Sequence, residues 1–334
     1  MRDLLERLFA HQTLSREEAR EALANLFQGS LSAAQAAAFL AVFRMRPLAV
    51  AELVGFRDAM MERAVRVDLG DIGAIDLCGT GGDGKSSFNI STLAALVVAA
   101  CGVPVAKHGN YAVSSSCGSS NVLEKLGVRF TADPAAIKRQ LQECGICFMH
   151  APLFHPSMKA IAPVRKELGV KTFFNLLGPL ANPASPRVQL CGVYNLEIMR
   201  LYSYAAPEIG KRLTIIHSLD GYDEISLTSA FKVLTPEGET VYQPEQLEFA
   251  RLGEDELKSG PDIEGSARIF TDVLQGRGTA AQNSVVTANA AFALHAARFA
   301  NSGTAELSLC IEECKEALVS GRTAALFAKF LQHQ

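Results

Sequence analysis

The sequence contains no tryptophan, and aromatic residues account for only 7% of its 334 positions. It has no run of about 18 uninterrupted apolar residues, the length that a membrane-spanning helix needs. Lysine and arginine, 32 together, nearly balance the 35 aspartates and glutamates, so the formal net charge is -3. These absences argue against a transmembrane protein and against an extended nucleic-acid-binding surface. They do not exclude a local basic pocket.

Low-complexity tracts are also missing. The first residues include Arg2, Asp3, Glu6 and Arg7 among apolar ones, whereas a signal peptide would have a hydrophobic region there. Because 49% of the residues are hydrophobic and the chain is long, we expect a globular cytoplasmic protein with about two domains and a large core.

The eight cysteines are scattered. Cys144 and Cys147 form a C-x-x-C, but no second such pair and no nearby histidine pair completes a zinc site. Free buried thiols are therefore favoured over a metal or redox function.

The most informative stretch is residues 76–92, Asp-Leu-Cys-Gly-Thr-Gly-Gly-Asp-Gly-Lys-Ser-Ser-Phe-Asn-Ile-Ser-Thr. An apolar run at residues 74–78 precedes its four glycines, and a small-residue apolar segment at residues 91–101 follows. This order predicts a strand, a turn and a helix. Glycines let backbone N–H groups approach an anion, and a helix N-terminus favours negative charge. We therefore predict that residues 79–88, called the glycine loop below, hold a phosphate.

Residues 79–86 also match the ATP-binding pattern G-x-x-x-x-G-K-[ST]. In a true P-loop the helix begins at the lysine. Here residues 87–89 continue the loop, and Asn89 and Ser91 are the best candidates to cap the helix. An ATPase would also need a second aspartate after a strand, and Asp220 lies too far past its strand. We therefore regard the match as coincidental.

The pattern along the chain predicts an α/β protein with a small helical N-terminal domain and a larger α/β domain. Residues 1–66 look all-helical, with capping boxes at Ser15 and Ser32. From residue 72, strands alternate with helices, which predicts a central, mostly parallel sheet flanked by helices. Residues 151–183 break this alternation. We expect them to return to the helical domain over the glycine loop, which leaves residues 72–150 and 184–334 for the α/β domain.

Individual elements follow from the same pattern. A helix is expected from about Ser119, another after the cap Asp133-Pro134, and a third from His155 to Glu167. C-terminal helices are expected at about residues 266–331. The predicted strands are residues 74–78, 103–106, 146–150, 189–193 and 212–217, with a hairpin at 232–242.

Two further loops carry polar residues at predicted strand ends. Lys107 follows the second strand and precedes hydroxyls at Ser114, Ser115, Ser116 and Ser119. The adjacent carboxylates Asp223 and Glu224 follow the strand at 212–217, and such oxygens suit Mg²⁺. A phosphate-binding loop, a lysine and a carboxylate pair at neighbouring strand ends indicate phosphoryl or pyrophosphate chemistry with Mg²⁺.

Six ordered motifs resemble those of the anthranilate phosphoribosyltransferase family, and the resemblance covers residues 14–321. They are residues 79–83 (Gly-Thr-Gly-Gly-Asp), 89–92 (Asn-Ile-Ser-Thr), 107–110 (Lys-His-Gly-Asn), 164–166 (Val-Arg-Lys), 178–183 (Gly-Pro-Leu-Ala-Asn-Pro) and 220–224 (Asp-Gly-Tyr-Asp-Glu). The resemblance implies transfer of phosphoribosyl from 5-phosphoribosyl-1-pyrophosphate (PRPP) to the anthranilate amine in tryptophan biosynthesis. It also implies the fold shared with pyrimidine nucleoside phosphorylases, and a homodimer formed through the helical domain.

Site residues are also implied by the resemblance. Two Mg²⁺ ions would be served by Ser91, Asp223 and Glu224, and anthranilate would be held by Gly79, Asn110 and Arg165, the last pairing with its carboxylate. The residues implied around PRPP are Gly79, Gly82, Asp83, Ser87, Asn89, Ile90, Ser91, Thr92, Lys107, His108, Gly109, Asn110, Ser115 and Ser119.

No residue is assigned as a general base, because the aniline nitrogen of anthranilate is already neutral at physiological pH. Mg²⁺, Lys107 and backbone donors would stabilise the negative charge on the leaving pyrophosphate. Positioning and electrostatics should supply most of the acceleration.

Two positions depart from the commoner family pattern, which has cations where this sequence has Tyr111 and, further along the loop, Ser116. PRPP affinity is expected to rely more on Mg²⁺ and hydroxyls here. Lys85 in the glycine loop is a hypothetical replacement for the missing charge.

Two alternatives remain at this point. A pyrimidine nucleoside phosphorylase would share the fold and a glycine-rich loop, but it would not need Asp223, Glu224 or Arg165. A non-catalytic, nucleic-acid-binding relative should show a basic face and eroded motifs.

Overall fold

The computed structural model describes residues 1–111 and 118–334. The chain opens with helices α1 (Arg2–Phe9), α2 (Arg16–Phe27), α3 (Ala33–Met45) and α4 (Val50–Glu62). Both predicted capping boxes are present: the hydroxyls of Ser15 and Ser32 accept hydrogen bonds from the backbone three residues on. These caps satisfy N–H groups that the helix itself leaves unpaired.

In the described residues, seven strands form one sheet in the order β3-β2-β1-β4-β5-β6-β7. Strands β1 to β5 are mutually parallel, and β6 and β7 complete the sheet as an antiparallel hairpin. Their bounds are β1 Ile75–Gly79, β2 Val105–Gly109, β3 Ile146–His150, β4 Val188–Gly192, β5 Arg212–Ser218, β6 Phe231–Thr235 and β7 Gly238–Tyr242.

The sheet order reverses direction at β1, since the chain proceeds to β2 and β3 on one side and to β4 and β5 on the other. Ligands of parallel α/β sheets bind beyond the carboxyl ends of the strands at such a reversal. The glycine loop begins there, at the end of β1.

The helices after β1 are α5 Ile90–Ala100, α6 Ser119–Lys125, α7 Pro134–Cys144, α8 Ala151–Phe154, α9 Ala162–Leu168, α10 Phe174–Leu177, α11 Leu196–Glu208, α12 Ile263–Leu274, α13 Ala280–Ser302, α14 Leu307–Val319 and α15 Arg322–Gln332. Short 3-10 helices occupy Pro156–Ala160, Gly178–Leu180, Pro244–Leu247 and Glu254–Leu257. The predicted fold class, a helical N-terminal part and a larger α/β part with a mostly parallel sheet, is confirmed.

Among the described helices, none has both the length and the apolar character that crossing a bilayer demands.

Helix α5 packs in the core of the α/β part, with β1 and α13 as neighbours. Nine of its residues are buried, including Leu93 and Val97, so it is apolar on almost every side. A helix with this composition has to be covered all round. Its N-terminus is therefore held rigidly where it meets the glycine loop.

Residues 151–183, called the linking segment below, pack on the N-terminal helices. The 3-10 helix Pro156–Ala160 contacts α2, α9 contacts α3, and α10 contacts α4. The ring of Phe173 stacks on that of Phe56 at 4.4 Å and meets the edge of Phe43 at 5.2 Å. Such aromatic pairs contribute about 0.5–1.5 kcal/mol beyond the area that they bury. The exact domain boundaries given above stay a prediction.

Two predicted elements are wrong in detail. Strand β2 extends through Lys107 and His108, so these residues lie within the strand and not after it. The single helix expected from His155 to Glu167 is instead a 3-10 helix followed by α9. Pro163 explains the break, because it has no N–H to donate and its ring would clash with the preceding turn of a continuous helix.

Helix α5 begins at Ile90, with Asn89 at the N-cap position. The lysine of the ATP-binding pattern, Lys85, therefore lies five residues before the helix. This agrees with the expectation that the match is coincidental, because a true P-loop lysine lies at the helix start.

Candidate active site

The glycine loop has a backbone that only glycine adopts easily. Gly81, Gly82 and Gly84 have φ values of +64°, +78° and +77°. A residue with a Cβ is strained in this left-handed region. The repeated glycines are thus required by the path of the loop away from β1.

The loop after β5 lies directly against the ends of β1 and β4. A Cβ on Gly79 would lie 2.2 Å from Asp223 Oδ2, and one on Gly192 would lie 1.6 Å from the Asp223 carbonyl oxygen. The N–H of Gly81 donates to Asp223 Oδ2 at 2.6 Å. Glycine at both strand ends therefore lets the first and third predicted loops meet.

Glu224 connects the same loop to the start of α5. Its Oε2 accepts a hydrogen bond from Ser87 Oγ at 3.0 Å, and its Oε1 accepts one from the Ser91 N–H at 3.3 Å. The structure thus brings together Ser91, Asp223 and Glu224, the three residues predicted to serve metal ions.

These carboxyls are crowded and buried. Burial and the neighbouring Asp83 raise the pKa of Asp223 to about 7. Burial, Asp223 and Asp83 together raise the pKa of Glu224 well above its usual range. Asp83 Oδ2 is itself buried and has no hydrogen-bond partner among the residues that the structure describes. Like charges that are desolvated together resist ionisation, and a bound cation removes that resistance.

The oxygens present fit Mg²⁺, which prefers oxygen ligands and commonly takes one or two carboxylates together with substrate phosphates and water. In the described part of the chain, no group of three histidine, cysteine, aspartate or glutamate side chains forms a metal site without such additions. The residues therefore suit a metal that arrives with a phosphorylated substrate better than a permanent structural ion.

Lys107 lies beneath the start of α5. Its Nζ donates to the Leu77 carbonyl oxygen and, at 3.5 Å, to Ser91 Oγ. Burial lowers the pKa of this ammonium, and Asp76 opposes that effect. Lys107 is only 3% exposed, so its charge acts in a region that water does not screen well.

The residues at the end of β2 lie against the start of α6. A Cβ on Gly109 would lie 2.7 Å from Ser119 Oγ. The Ser119 hydroxyl donates to the Asn110 carbonyl oxygen at 3.1 Å, and the Ser120 N–H donates to the same oxygen at 3.2 Å. Gly109, Asn110 and Ser119 are therefore brought together. The remaining predicted member of this loop, Ser115, lies outside the described residues, as do Ser114 and Ser116.

Tyr111 contacts helix α6 and the end of β3. Its hydroxyl donates to Glu124 Oε1 at 2.8 Å, and its ring meets the edge of the His150 ring at 4.4 Å. The Nδ1 of His150 is in turn hydrogen-bonded to Ser120 Oγ at 2.8 Å. Tyr111 braces the loop after β2 but brings no positive charge to it.

Two histidines form a buried pair between β2 and the linking segment. The rings of His108 and His155 are 5.4 Å apart, and His155 Nε2 is 2.9 Å from the Ala181 carbonyl oxygen. Burial lowers the pKa of His108 to about 3 and that of His155 to about 4, so both are neutral at physiological pH. Among the described residues, no hydrogen-bond partner contacts His108 Nε2 or His155 Nδ1, and both atoms are buried.

Arg165 projects from α9 and lies over the Phe174 ring, with 5.0 Å between the guanidinium carbon and the ring centroid. Partial burial lowers its pKa. Within the described residues it forms no ion pair with a carboxylate, and no hydrogen bond joins it to Gly79 or Asn110, the other residues predicted to hold anthranilate. Its planar donors remain available for a carboxylate.

Two further cations lie at the glycine loop: Lys85 belongs to it, and Lys171 contacts it from outside. Lys85 Nζ donates to Glu254 Oε1 at 2.8 Å and lies 4.7 Å from the centroid of the Tyr222 ring. Lys171, in the linking segment, donates from Nζ to the Gly82 carbonyl oxygen. Sequence reasoning missed Lys171 and left His155 unassigned, because neither follows a strand.

Comparisons with known proteins agree with this geometry. Residues 71–324 match the family described as "Glycosyl transferase family, a/b domain", and residues 2–64 match "Glycosyl transferase family, helical bundle domain". The chain is 49% identical over 332 residues to an anthranilate phosphoribosyltransferase of Bacteroides thetaiotaomicron, with 99% of each chain covered. It is 49% identical over 327 residues to one of Flavobacterium johnsoniae, with 96% of each covered.

Two solved structures share the fold. The anthranilate phosphoribosyltransferase of Thermus thermophilus superposes with a TM-score of 0.91 at 35% identity, covering 98% of both chains. The Saccharomyces cerevisiae enzyme in complex with PRPP and Mg superposes with a TM-score of 0.89 at 24% identity, covering 98% of this chain and 96% of that one.

Proposed function

We propose, from the premise that the chain belongs to the anthranilate phosphoribosyltransferase family, that it transfers the phosphoribosyl group of PRPP to the amine of anthranilate. The products are N-(5-phosphoribosyl)anthranilate and pyrophosphate, and the reaction belongs to tryptophan biosynthesis. The observation that carries this proposal is the meeting of the glycine loop, Ser91 and the Asp223–Glu224 pair at the end of β1. The relatives that are named anthranilate phosphoribosyltransferase match the chain over nearly its whole length.

The reaction is proposed to need Mg²⁺, with two ions served by Ser91, Asp223 and Glu224. The ions would neutralise the negative charge that develops on the leaving pyrophosphate. Crowding supports this, since burial, together with the neighbouring carboxylates, raises the pKa values of Asp223 and Glu224, and a bound cation would favour their ionised forms.

The PRPP residues named from the sequence are retained as a proposal. Backbone N–H groups of the glycine loop and the N-terminus of α5 would hold phosphate oxygens, and Lys107 would contribute charge from beneath. This arrangement binds and orients PRPP before reaction, which lowers the entropic part of the barrier.

Arg165 is proposed to pair with the carboxylate of anthranilate, and Gly79 and Asn110 to complete that site. Its guanidinium has no carboxylate partner in the described residues, which supports this role. No residue is proposed as a general base, because the amine of anthranilate is already unprotonated.

The helical part is proposed to comprise residues 1–66 with 151–183, and residues 72–150 with 184–334 to form the α/β domain. A homodimer through the helical part is proposed as well. Met45 at the end of α3 is 82% exposed and Tyr204 on α11 is 61% exposed, and both line a groove between these helices. Light scattering on the purified protein tests the dimer. The proposed location is the cytoplasm.

One assay tests the function. Purified protein is mixed with anthranilate, PRPP and Mg²⁺, and the loss of anthranilate fluorescence is followed, with EDTA as the control. We expect a magnesium-dependent loss and the appearance of pyrophosphate. No such loss at saturating substrates would refute the proposal. Cleavage of a pyrimidine nucleoside by phosphate would instead support the nucleoside phosphorylase alternative, which the buried Asp223–Glu224 pair disfavours.

A further inference from the structure

Lys171 reaches the glycine loop from the linking segment. Its ammonium donates to the Gly82 carbonyl oxygen. Its stem packs so closely that a Cβ on Gly82 would lie 3.2 Å from Lys171 Cε and 3.3 Å from Nζ. A positive charge is thus held at the loop that is proposed to bind PRPP.

The other cations near this loop are already engaged. Lys107 is buried against the Leu77 carbonyl oxygen, and Lys85 and Lys258 pair with the carboxylates of Glu254 and Asp255. Lys171 is exposed, and within residues 1–111 and 118–334 its ammonium contacts two neutral groups: the Gly82 carbonyl oxygen and the Tyr194 ring, whose centroid is 5.7 Å from Nζ. Among the described cations at the glycine loop, it is the one that combines exposure with the lack of a carboxylate partner.

An ammonium has three N–H donors, and the Gly82 carbonyl uses one of them. The others can bind a phosphate oxygen without losing the carbonyl contact. A phosphate oxygen also carries negative charge, so it attracts the ammonium more strongly than a neutral carbonyl oxygen does. A phosphorylated ligand would therefore bind the Lys171 ammonium where it already lies, beside Gly82.

We propose that Lys171 binds the pyrophosphate group of PRPP and stabilises its negative charge as it leaves. This inference rests on the proposed function. Lys171 would supply a positive charge that Tyr111 does not carry and that Lys85 already shares with the carboxylate of Glu254. It also gives the linking segment, which is proposed to carry the anthranilate-binding Arg165, a direct contact with the other substrate.

Lys171→Ala is expected to raise the KM for PRPP about tenfold, the loss of roughly one charge-assisted hydrogen bond. The KM for anthranilate should stay within about twofold, because the anthranilate site does not include this side chain. Lys171→Arg should restore most of the PRPP affinity, since the guanidinium keeps the charge and donors. Lys159→Ala is the matched control, because it removes an exposed charge from the same segment away from the glycine loop.

Calorimetric titration with Mg-pyrophosphate and with ribose 5-phosphate gives a readout apart from turnover. We expect Lys171→Ala to weaken Mg-pyrophosphate binding about tenfold and to leave ribose 5-phosphate binding unchanged. Pyrophosphate affinity within about twofold of the wild type would overturn the inference. Equal weakening of both ligands would overturn it too, because it would indicate a general change in loop shape.

Thermal melting of the ligand-free variants checks that each is folded, and the exposed position of Lys171 makes this the expected result. The two proposals fail differently. If the wild type consumes no anthranilate with PRPP, the proposed function is wrong. If the wild type is active and the Lys171→Ala variant matches it, only the role of Lys171 is wrong.

Discussion

The two sides of the glycine loop are built differently. On the sheet side, Gly79 and Gly192 lie against Asp223 with no room for a Cβ, and the carboxyls that face them are buried. On the other side, the linking segment reaches the loop through the exposed side chain of Lys171. The first contact is close packing of glycine backbone against Asp223, and the second is made by a long, flexible side chain.

This difference separates a fixed contact from an adjustable one. Close-packed backbone fixes where the loop lies, because a shift of a few tenths of an ångström would create a clash. A lysine with four methylene groups can follow a ligand as it binds and leaves. The linking segment keeps its own position through buried aromatic contacts such as Phe56 with Phe173, so only its tip needs to move.

The largest effect is expected from Gly192→Ala. Its Cβ would overlap the Asp223 carbonyl oxygen, at 1.6 Å, and backbone cannot move aside cheaply. We expect unfolding to become easier by about 3 kcal/mol or more, the upper range for overpacking. Activity should be lost as well, since Asp223 would be displaced. Chemical denaturation and the fluorescence assay measure the two effects.

Gly73→Ala is the control for that variant. Gly73 precedes β1, has no positive φ and has no atoms within 4 Å of the added Cβ. We expect it to behave like the wild type. If Gly192→Ala were equally harmless, the sheet side of the loop would not be fixed in the way described.

Glu224→Gln should separate activity from stability. We expect kcat/KM to fall about 100-fold, because a metal ligand is lost and several kcal/mol of charge stabilisation depend on the metal. The ligand-free protein should be at least as stable as the wild type. The pKa of Glu224 is raised in the folded state, so its ionised form opposes folding at neutral pH, and glutamine removes that cost.

Thermal melts in EDTA, combined with kinetics over a range of Mg²⁺ concentrations, test this pair of effects. A loss of both activity and stability would mean that the carboxylate serves mainly as a structural acceptor for Ser87 and Ser91. Unchanged activity and an unchanged Mg²⁺ requirement would contradict the metal role itself.

A smaller effect, on one substrate only, is expected from Arg165→Ala. Removing a planar partner of a carboxylate should raise the KM for anthranilate about 30-fold, within the range for charged hydrogen bonds. The KM for PRPP should change less than about twofold. Lys166→Ala, on the exposed neighbour, is the control. A main effect on PRPP would contradict the placement of anthranilate on the linking segment.

Sequence reasoning predicted the sheet side well and the linking side poorly, for a physical reason. Parallel strands bring their carboxyl ends to one edge, so polar residues after β1 and β5 had to meet. Glycine repeats and the Asp223–Glu224 pair are therefore readable from spacing alone. The sequence also predicted the order of the strands and helices, because hydrophobic periodicity sets it locally.

Contacts of the linking segment do not follow from any local pattern. Lys171 meets Gly82 only because the Phe173 cluster fixes the segment on the N-terminal helices, and this depends on the packing of distant elements. The burial of Lys107 escaped prediction for the same reason. A lysine after an apolar run looks like a strand end, but Lys107 pairs with Phe148 of β3, so the strand continues through it.

The smallest effect is expected from Lys85→Ala, although this residue lies within the glycine loop itself. Its ammonium is paired with Glu254, whose side chain is 60% exposed, and such a pair contributes about 1 kcal/mol at most to stability. We expect the KM for PRPP to change less than about twofold, against about tenfold for Lys171→Ala. The two variants remove the same charge from opposite sides of one loop. If Lys85→Ala had the larger effect, the side chain that adds positive charge for pyrophosphate at this loop would be Lys85, and the role inferred for Lys171 would be wrong.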